Sequence, residues 1–502
     1  MSDTVITVGN WIVVSMGWMA GIVMLVLLTM FFQDIIQKEH SVRRNFPVIG
    51  RLRYFLERQG DYFRQYFFSH DREEMPFNRA TRSLVYRNAK GLGGLIGFGT
   101  TSDLREPGSI IFVNSPYALL DEECTPSPPL IIGPHCDKPF EAKNIFNISG
   151  MSYGAVSAPA IRALSNGAGK AGIWLNTGEG GLSRYHLEGD CDLIFQLGTA
   201  KYGVRNQDGK LDEGKLRTVA QHVKAFEIKL AQGAKPGKGG LLPGIKVTEE
   251  VADIRGIQVG KASISPNRHP EIKTPDDLLD MMQRIREITG RPVGFKSVIS
   301  SDRHMRRICE VVISRGMDSA PDFITIDGGD GGSGAAPQIL ADHVGLPLSE
   351  ALPIVVDVLK EYGLKERIKV IASGKLVTSA SVGWALCVGA DFVVSARGFM
   401  FALGCIQSLQ CHLDTCPTGI TTHNRRLQKG LVVSDKARRV QTFANSVNHD
   451  VDVLAHSCGL TNAREFRRQH VRIVQSAGHS VLLSDLYPYP EASVMTPKNQ
   501  VA

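Results

Sequence analysis

Three groups of residues in this chain have types and spacings that do chemistry. The segment "GCIQSLQCHLDTCPTG" sets Cys405, Cys411 and Cys416 apart by five and then four residues, with Pro417 directly after the last. Closely spaced cysteines in a reduced compartment are ligands of iron–sulfur clusters or zinc before they are disulfides. Three thiolates with no fourth cysteine nearby suit a cluster lacking one iron better than a closed zinc site, which would need His412 as its fourth ligand. The second group is glycine-rich. "DGGDGGSGA" (327–335), "ASGK" (372–375) and "SARG" (395–398) offer backbone N–H groups unobstructed by Cβ at the starts of following helices, which is a phosphate-binding surface. No Walker lysine motif and no G-x-G-x-x-G between strand and helix accompanies them, which argues against ATP or NAD as the primary ligand. The third group, "AQGAKPGKGGLLPG", holds Gln232, Lys235 and Lys238 and is followed by Arg255 in "VADIRG". Fixed cations over one site suit a dicarboxylate, whereas the bland reading is a set of surface cations.

The elements that must position these groups follow from the pattern after residue 144. Eight short β-branched or apolar runs each end in a glycine-bearing or polar tip and lead into a longer helical stretch: 144–151, 172–181, 193–198, 226–232, 292–299, 322–329, 368–374 and 392–398. Strands alternating with helices pair in parallel, and eight of them are what a closed (β/α)8 TIM barrel of the α/β class requires; a doubly wound open sheet is the alternative. The unusual residues decide for the barrel, because Ser149, Met151, Asn176, Glu179, Gln232, Lys296, Asp327 and Arg397 all fall at or just past the C-terminal ends of the runs. That end is the catalytic face of a barrel, and the tips after strands seven and eight commonly hold phosphate there. The connection from about 233 to 275 is too long for a simple βα loop and reads as a functional cover.

Ahead of the barrel, Thr4 to Gln33 carries no charge, and Trp11 to Phe32 is an apolar run long enough for a bilayer core of ~30 Å. Only Asp3 precedes it with a charge, while Lys38, Arg43, Arg44, Arg51 and Arg53 follow, so the positive-inside rule predicts a single membrane anchor with the barrel in the cytoplasm. A signal peptide would be shorter and begin with basic residues. The predicted organisation is therefore an anchor (4–33), a juxtamembrane basic and aromatic helix with an irregular lead-in (34–139), the barrel with its cysteine loop (140–425) and a helical C-terminal extension (426–502). The aromatic helix suits either the anionic inner leaflet or the surface of the main domain. A formal charge of +7, from 57 Lys and Arg against 50 Asp and Glu, gives nucleic-acid binding no support. The six other cysteines read as small buried apolar residues.

The order and spacing of "GMSYGAVS" (150–157), "NTGEGG", "LAQGAKPGKGGLLPG", "GDGGSGA" and the C-x(5)-C-x(4)-C-P segment resembles the FMN-binding synthase domain of glutamate synthases over about 140 to 425. The resemblance implies FMN at the C-terminal face and a 3Fe-4S cluster beside it that passes electrons to the flavin. It implies that 2-oxoglutarate and ammonia condense to 2-iminoglutarate, and that reduced FMN delivers hydride to the imine carbon, giving L-glutamate. By matching position, Met151 and Ser152 lie against the flavin ring, Gln232 and Lys296 bond its polar edge, and Gly329, Gly374, Arg397 and Gly398 sit near the phosphate. Lys235 and Arg255 match the family's 2-oxoglutarate cations, and Glu179 falls on a loop near the substrate.

Two departures accompany the resemblance. Full-length glutamate synthases carry an N-terminal glutaminase domain, for which this sequence leaves no room, so ammonia is expected free or from a separate glutaminase, and the electron donor is unnamed. The phosphate loop reads "ASGKLVTS", with Ser373 and Lys375 where the family prefers an acidic start and an arginine. The same scaffold acting on another amine or 2-oxo acid is a second enzyme reading. A third class is an electron-transfer subunit of a membrane complex, which the anchor favours and which Lys235, Arg255 and Glu179 disfavour, since a relay needs no dicarboxylate pocket.

Overall fold

Eight parallel strands close on one another between residues 146 and 395 in the computed structural model, which describes residues 2–491. We number them β1 (Phe146–Ile148), β2 (Leu175–Asn176), β3 (Leu193–Leu197), β4 (Ala225–Lys229), β5 (Val293–Val298), β6 (Phe323–Asp327), β7 (Lys369–Ser373) and β8 (Phe392–Ser395). Each pairs in parallel with the next, and β8 returns to β1 through Val393, Val394 and Ser395 against Phe146, Asn147 and Ile148. Seven of the eight strands lie within the runs read from the sequence and β4 begins one residue ahead of its run, so the α/β barrel expected there is the architecture found.

The strands are buried along almost their whole length, as a parallel sheet covered by helices must be. Phe146, Phe195, Phe226, Phe295, Phe323 and Phe392, on six of the eight strands, have no exposed surface. The N-terminal mouth is plugged by an antiparallel pair, Leu130–Ile132 with Phe140–Ala142, whose Ile132, Phe140 and Ala142 join Trp174, Ala225, Phe323 and Phe392 in one apolar cluster. Closing that end with hydrocarbon leaves polar side chains to collect at the other. A long helix, Val433–Ser457, packs on Ala158–Ala171, and there Gly167 admits it: a Cβ would stand 2.5 Å from Val440 Cβ. After it the chain turns to β structure, with Val471–Ser476 pairing both His479–Leu482 and Ile110–Phe112.

The chain divides into two compact units, one running to Thr81 and the other starting at Arg82. The first is helical: Ser2–Ile36, Ser41–Asn45 and Gly50–Phe63, continued by a π-helical turn over Arg64–Phe68. Its Ile6–Ile36 stretch is long and apolar enough to cross a membrane.

Candidate active site

The C-terminal halves of most strands contribute buried polar side chains, and these form three hydrogen-bonded clusters inside the barrel mouth. Glu227 of β4 centres the first: it accepts from Asn176 Nδ2 (2.9 Å), Gln196 Nε2 (2.7 Å) and Thr325 Oγ1 (2.5 Å), from β2, β3 and β6. Two residues on, the ammonium of Lys229 meets Glu179 Oε1 at 3.1 Å and donates to Gln232 Oε1 at 2.8 Å. Gln232 in turn donates from Nε2 to Gly332 O at 2.6 Å. Lys296 of β5 pairs with Asp327 Oδ2 at 3.2 Å, while Ser373 Oγ and the Gly233 N–H donate to the same carboxylate.

Three glycine tips converge beside these clusters. A Cβ on Gly374, where φ is 129°, would stand 3.1 Å from the Gly328 nitrogen, and one on Gly332 would stand 2.9 Å from Arg397 Nε. Arg397 donates from Nη2 to Asp330 O at 2.9 Å, and Gly398 N donates to Ser395 Oγ. The loops after β6, β7 and β8 thus approach one another closely, with Gly329 packed against Gly345. Met151 and Ser152 follow β1, and the Met151 carbonyl faces His186 Nε2 at 3.1 Å. Burial drops His186 to about 4, so it is neutral at pH 7.

The cover from 233 to 275 is built of a turn, Gly244–Lys246, a short helix, Glu249–Arg255, and a strand pair, Leu241–Leu242 with Ser263–Ile264. It brings two buried cations to the mouth. Lys235 is 5% exposed, its Nζ has no hydrogen-bond partner among the described residues, and burial together with Lys229 lowers it to about 8 against the pull of Glu179. Arg255 is equally buried; it donates to Ser263 Oγ (3.1 Å) and Tyr153 O (3.4 Å), and its Nε is buried without a partner. Glu179 lies between them. Burial pushes its pKa up, but Lys229, Lys235 and Arg255 outweigh that and leave it below the usual carboxylate value. Its position depends on Gly240, where a Cβ would sit 2.4 Å from Oε1.

Cys405, Cys411 and Cys416 lie on one loop, close enough that Cys411 and Cys416 help hold the Cys405 thiol protonated, although burial dominates and takes it to about 12. Cys416 is the exception, drawn down by hydrogen bonds from Thr418 and Thr421 in spite of its burial. Among the described residues no group of three His, Cys, Asp or Glu is arranged to hold a single metal ion. The cysteine loop is stitched to the loop after β1: Ser157 N donates to Ile420 O (2.8 Å), Ser157 Oγ donates to Gly419 O (2.7 Å), and His423 Nε2 faces Gly154 O at 2.9 Å. Lys246, 2% exposed, bridges the two by donating to Ala155 O (2.7 Å) and Cys411 O (3.2 Å).

The structure therefore gathers Glu179, Lys235 and Arg255 into one place, brings the glycine tips and Arg397 together, and sets the cysteine loop beside Met151 and Ser152. Sequence reasoning passed over Gln196, Glu227, Lys229 and Thr325. A signal existed: in "FEIKLAQ", Glu227 and Lys229 alternate with Phe226, Ile228 and Leu230, and polar residues at period two in a strand buried on both faces must point into the barrel.

The family model described as the conserved region in glutamate synthase matches residues 111–461. The glutamate synthase large subunit-like protein YerD of Bacillus subtilis (strain 168) is 40% identical over 501 residues, covering 91% of this chain and 94% of that protein. The archaeal-type glutamate synthase [NADPH] of Thermotoga sp. (strain RQ2) is 35% identical, over 65% of this chain and 62% of its own length. Among solved structures, a chimera of (S)-mandelate dehydrogenase aligns at a TM-score of 0.47 and 13% identity, over 78% of this chain and 98% of that one. The match across 111–461 encloses every strand of the barrel, the cover and the cysteine loop, and the chain belongs to the glutamate synthase family of oxidoreductases.

Proposed function

We propose that this chain makes L-glutamate by reductive amination of 2-oxoglutarate through 2-iminoglutarate, using ammonia supplied from outside the chain. The observation that carries the reading is the pair of buried, incompletely bonded cations, Lys235 and Arg255, both within electrostatic reach of Glu179. An ammonium or guanidinium held out of water without a full set of acceptors is costly unless an anion arrives to complete it. A dicarboxylate supplies one carboxylate for each. Glu179, kept ionised by the lysines, is the acceptor that holds the N–H groups of incoming ammonia, and Lys229 keeps that carboxylate in place.

The mouth fits FMN. The cradle between Gly374, Gly328 and Gly332 is one that Cβ atoms would fill, Arg397 stands beside it, and Gln232 and Lys296 lie on the adjoining strand ends. Met151 and Ser152 form the remaining wall, with neutral His186 holding the Met151 carbonyl. When bound, FMN supplies the two electrons that reduce the imine carbon. The protein's part is to orient that carbon, to hold Glu179 ionised and to exclude water with the 233–275 cover.

Cys405, Cys411 and Cys416 fit a 3Fe-4S cluster. In a polynuclear cluster each thiolate binds its own iron, so the sulfurs need not converge on one point as they do around zinc. Gln407 N–H already donates to Cys405 Sγ at 3.4 Å, and Thr418 and Thr421 favour the thiolate of Cys416. A cluster held by these three cysteines would supply the entry point for electrons from a separate donor. The apolar helix Ile6–Ile36 anchors the chain in the membrane, and its basic flank puts the barrel on the cytoplasmic side.

The test is a half-reaction under anaerobic conditions on detergent-purified full chain. After chemical reduction, adding 2-oxoglutarate with ammonium should reoxidise the flavin and yield stoichiometric L-glutamate. A flavin that stays reduced overturns the proposal. Cys411→Ser should remove the cluster's visible absorbance and its iron while sparing FMN, and an unchanged iron content would overturn the ligand assignment.

A further inference from the structure

Between the apolar helix and Arg82 the chain carries an amphipathic surface that no catalytic role accounts for. Leu52, Phe55, Leu56 and Phe63 fall on one face of Gly50–Phe63, at i, i+3, i+4 and i+11, and Tyr66 and Phe67 extend the stripe along the following turn. All six are exposed, Phe55 at 57% and Phe67 at 75%. A contiguous apolar stripe of this kind in water marks an interaction surface.

What covers it follows from how the helix is fastened. Asp34, in the last turn of the apolar helix, is fully buried and accepts from Arg43 Nη2 (2.7 Å), Arg51 Nε (2.8 Å) and the Val48 N–H (3.0 Å). Arg51 also donates to Gln33 Oε1 (3.0 Å) and Met30 O (3.3 Å). The first turn of Gly50–Phe63 is thereby bolted to the last turn of the segment that would leave the bilayer. Arg53 and Arg58, both exposed, lie between a quarter and a third of a turn to either side of the stripe, where long cationic side chains reach headgroups while the stripe is submerged. Residues 34–68 hold seven Lys or Arg against four Asp or Glu.

We infer that Gly50–Phe63 and the turn to Phe68 lie in the headgroup region of an anionic bilayer with the stripe facing the acyl chains, as a second membrane contact besides the spanning helix. The inference rests on the anchor reading, and its test separates the two. Full-length chain is placed in nanodiscs containing phosphatidylcholine brominated either near the glycerol or deep in the acyl chain. One variant has Trp11→Phe and Trp18→Phe with Phe67→Trp; the other keeps Trp18 and lacks the new tryptophan. Trp174 and Trp384 are buried in the second unit and serve as an unquenched reference for its folding.

Shallow bromine should cut the emission of the residue placed by Phe67→Trp roughly twofold, and deep bromine should do the same to Trp18. Quenching at Trp18 with none at position 67 overturns the inference and leaves the anchor standing, whereas quenching at neither overturns the anchor reading. Replacing half of the carrier lipid with phosphatidylglycerol should increase the quenching at position 67, and Arg53→Gln with Arg58→Gln should cancel that increase. Quenching indifferent to phosphatidylglycerol overturns the anionic preference.

Discussion

Asp322, just before β6, and Glu179, just past β2, are carboxylates facing more than one cation from opposite ends of the same barrel. At Asp322 both oxygens face a cation: Oδ2 accepts hydrogen bonds, while Oδ1, without a hydrogen bond among the described residues, meets Arg367 as an ion pair. Arg286 Nη2 and Arg367 Nη2 stand 3.0 and 3.1 Å from its oxygens, and the Val293 N–H donates at 2.9 Å. The arginines spend their other donors on the carbonyls of Asp318, Ala320 and Pro321. At Glu179, Lys229 is engaged at 3.1 Å, but among the described residues Arg255 Nε has no acceptor and Lys235 meets Glu179 through charge alone. Similar ingredients give a closed joint at the N-terminal end and, at the C-terminal end, an open cluster that the proposed function reads as a receptor. What separates the two ends is whether each cation has acceptors of its own, more than burial or charge.

The largest effect expected from that contrast is on stability. Asp322→Ala leaves two half-buried guanidinium groups without their counter-charge and should cost about 3 kcal/mol or more, read as a lower urea midpoint of tryptophan emission. Lys235→Met removes a buried charge that has no partner and should leave the midpoint unchanged or raise it. Equal losses in the two variants would erase the distinction. The same Lys235→Met should lower kcat/KM for 2-oxoglutarate roughly 100-fold, about 3 kcal/mol, through the lost charge-assisted bond, with FMN content retained. Loss of flavin from this variant would instead make Lys235 a cofactor residue.

How much of this was legible in the sequence depended on whether the information was local. The eight runs and their glycine tips were, because period, tip composition and spacing repeat at every βα unit. Run 172–181 overreached its strand, which is only Leu175–Asn176, since the glycines that marked the tip belong to the loop. The cysteine loop, Lys235 and Arg255 stood out by residue type. Glu227 did not, because a lone carboxylate in an apolar run looks like a strand edge until Asn176, Gln196 and Thr325 are brought to it from three other strands. The pairing of Glu179 with Lys229, and of Asp322 with Arg286 and Arg367, is likewise set by barrel closure and by no spacing along the chain.

Glu227 sharpens the contrast from inside the mouth, since it is a site-end carboxylate that is fully paired. Glu227→Gln keeps the shape but turns one oxygen into a donor facing donors from Asn176, Gln196 or Thr325, so one buried bond becomes a repulsion. The expected cost is about 2 kcal/mol of stability, with affinity for 2-oxoglutarate little changed. A variant as stable as the parent but unable to bind the substrate would move Glu227 from the frame to the receptor.

The smallest effect is the most specific, because it requires binding and stability to move in opposite directions with pH. Lys235 in the folded chain titrates near 8, below its ordinary 10.5, and burial is the chief cause. A cation whose pKa is depressed by folding binds fewer protons in the native state than in the unfolded state between those two values, so stability rises with pH across that window. The charged form that holds a carboxylate is lost over the same range. The Kd of 2-oxoglutarate, measured calorimetrically without ammonia, should therefore be flat below about pH 8 and weaken by up to about tenfold per unit above it, while stability gains up to about 1.4 kcal/mol per unit. Substrate restores the missing partner, so binding near pH 8 should take up a proton, seen as a dependence of the heat on buffer ionisation enthalpy. In Lys235→Met the pH slope of binding and the proton uptake should vanish together. A parent whose affinity stays level through pH 8 and beyond would mean that Lys235 is already paired, and that the open receptor at this end of the barrel is centred on Arg255 alone.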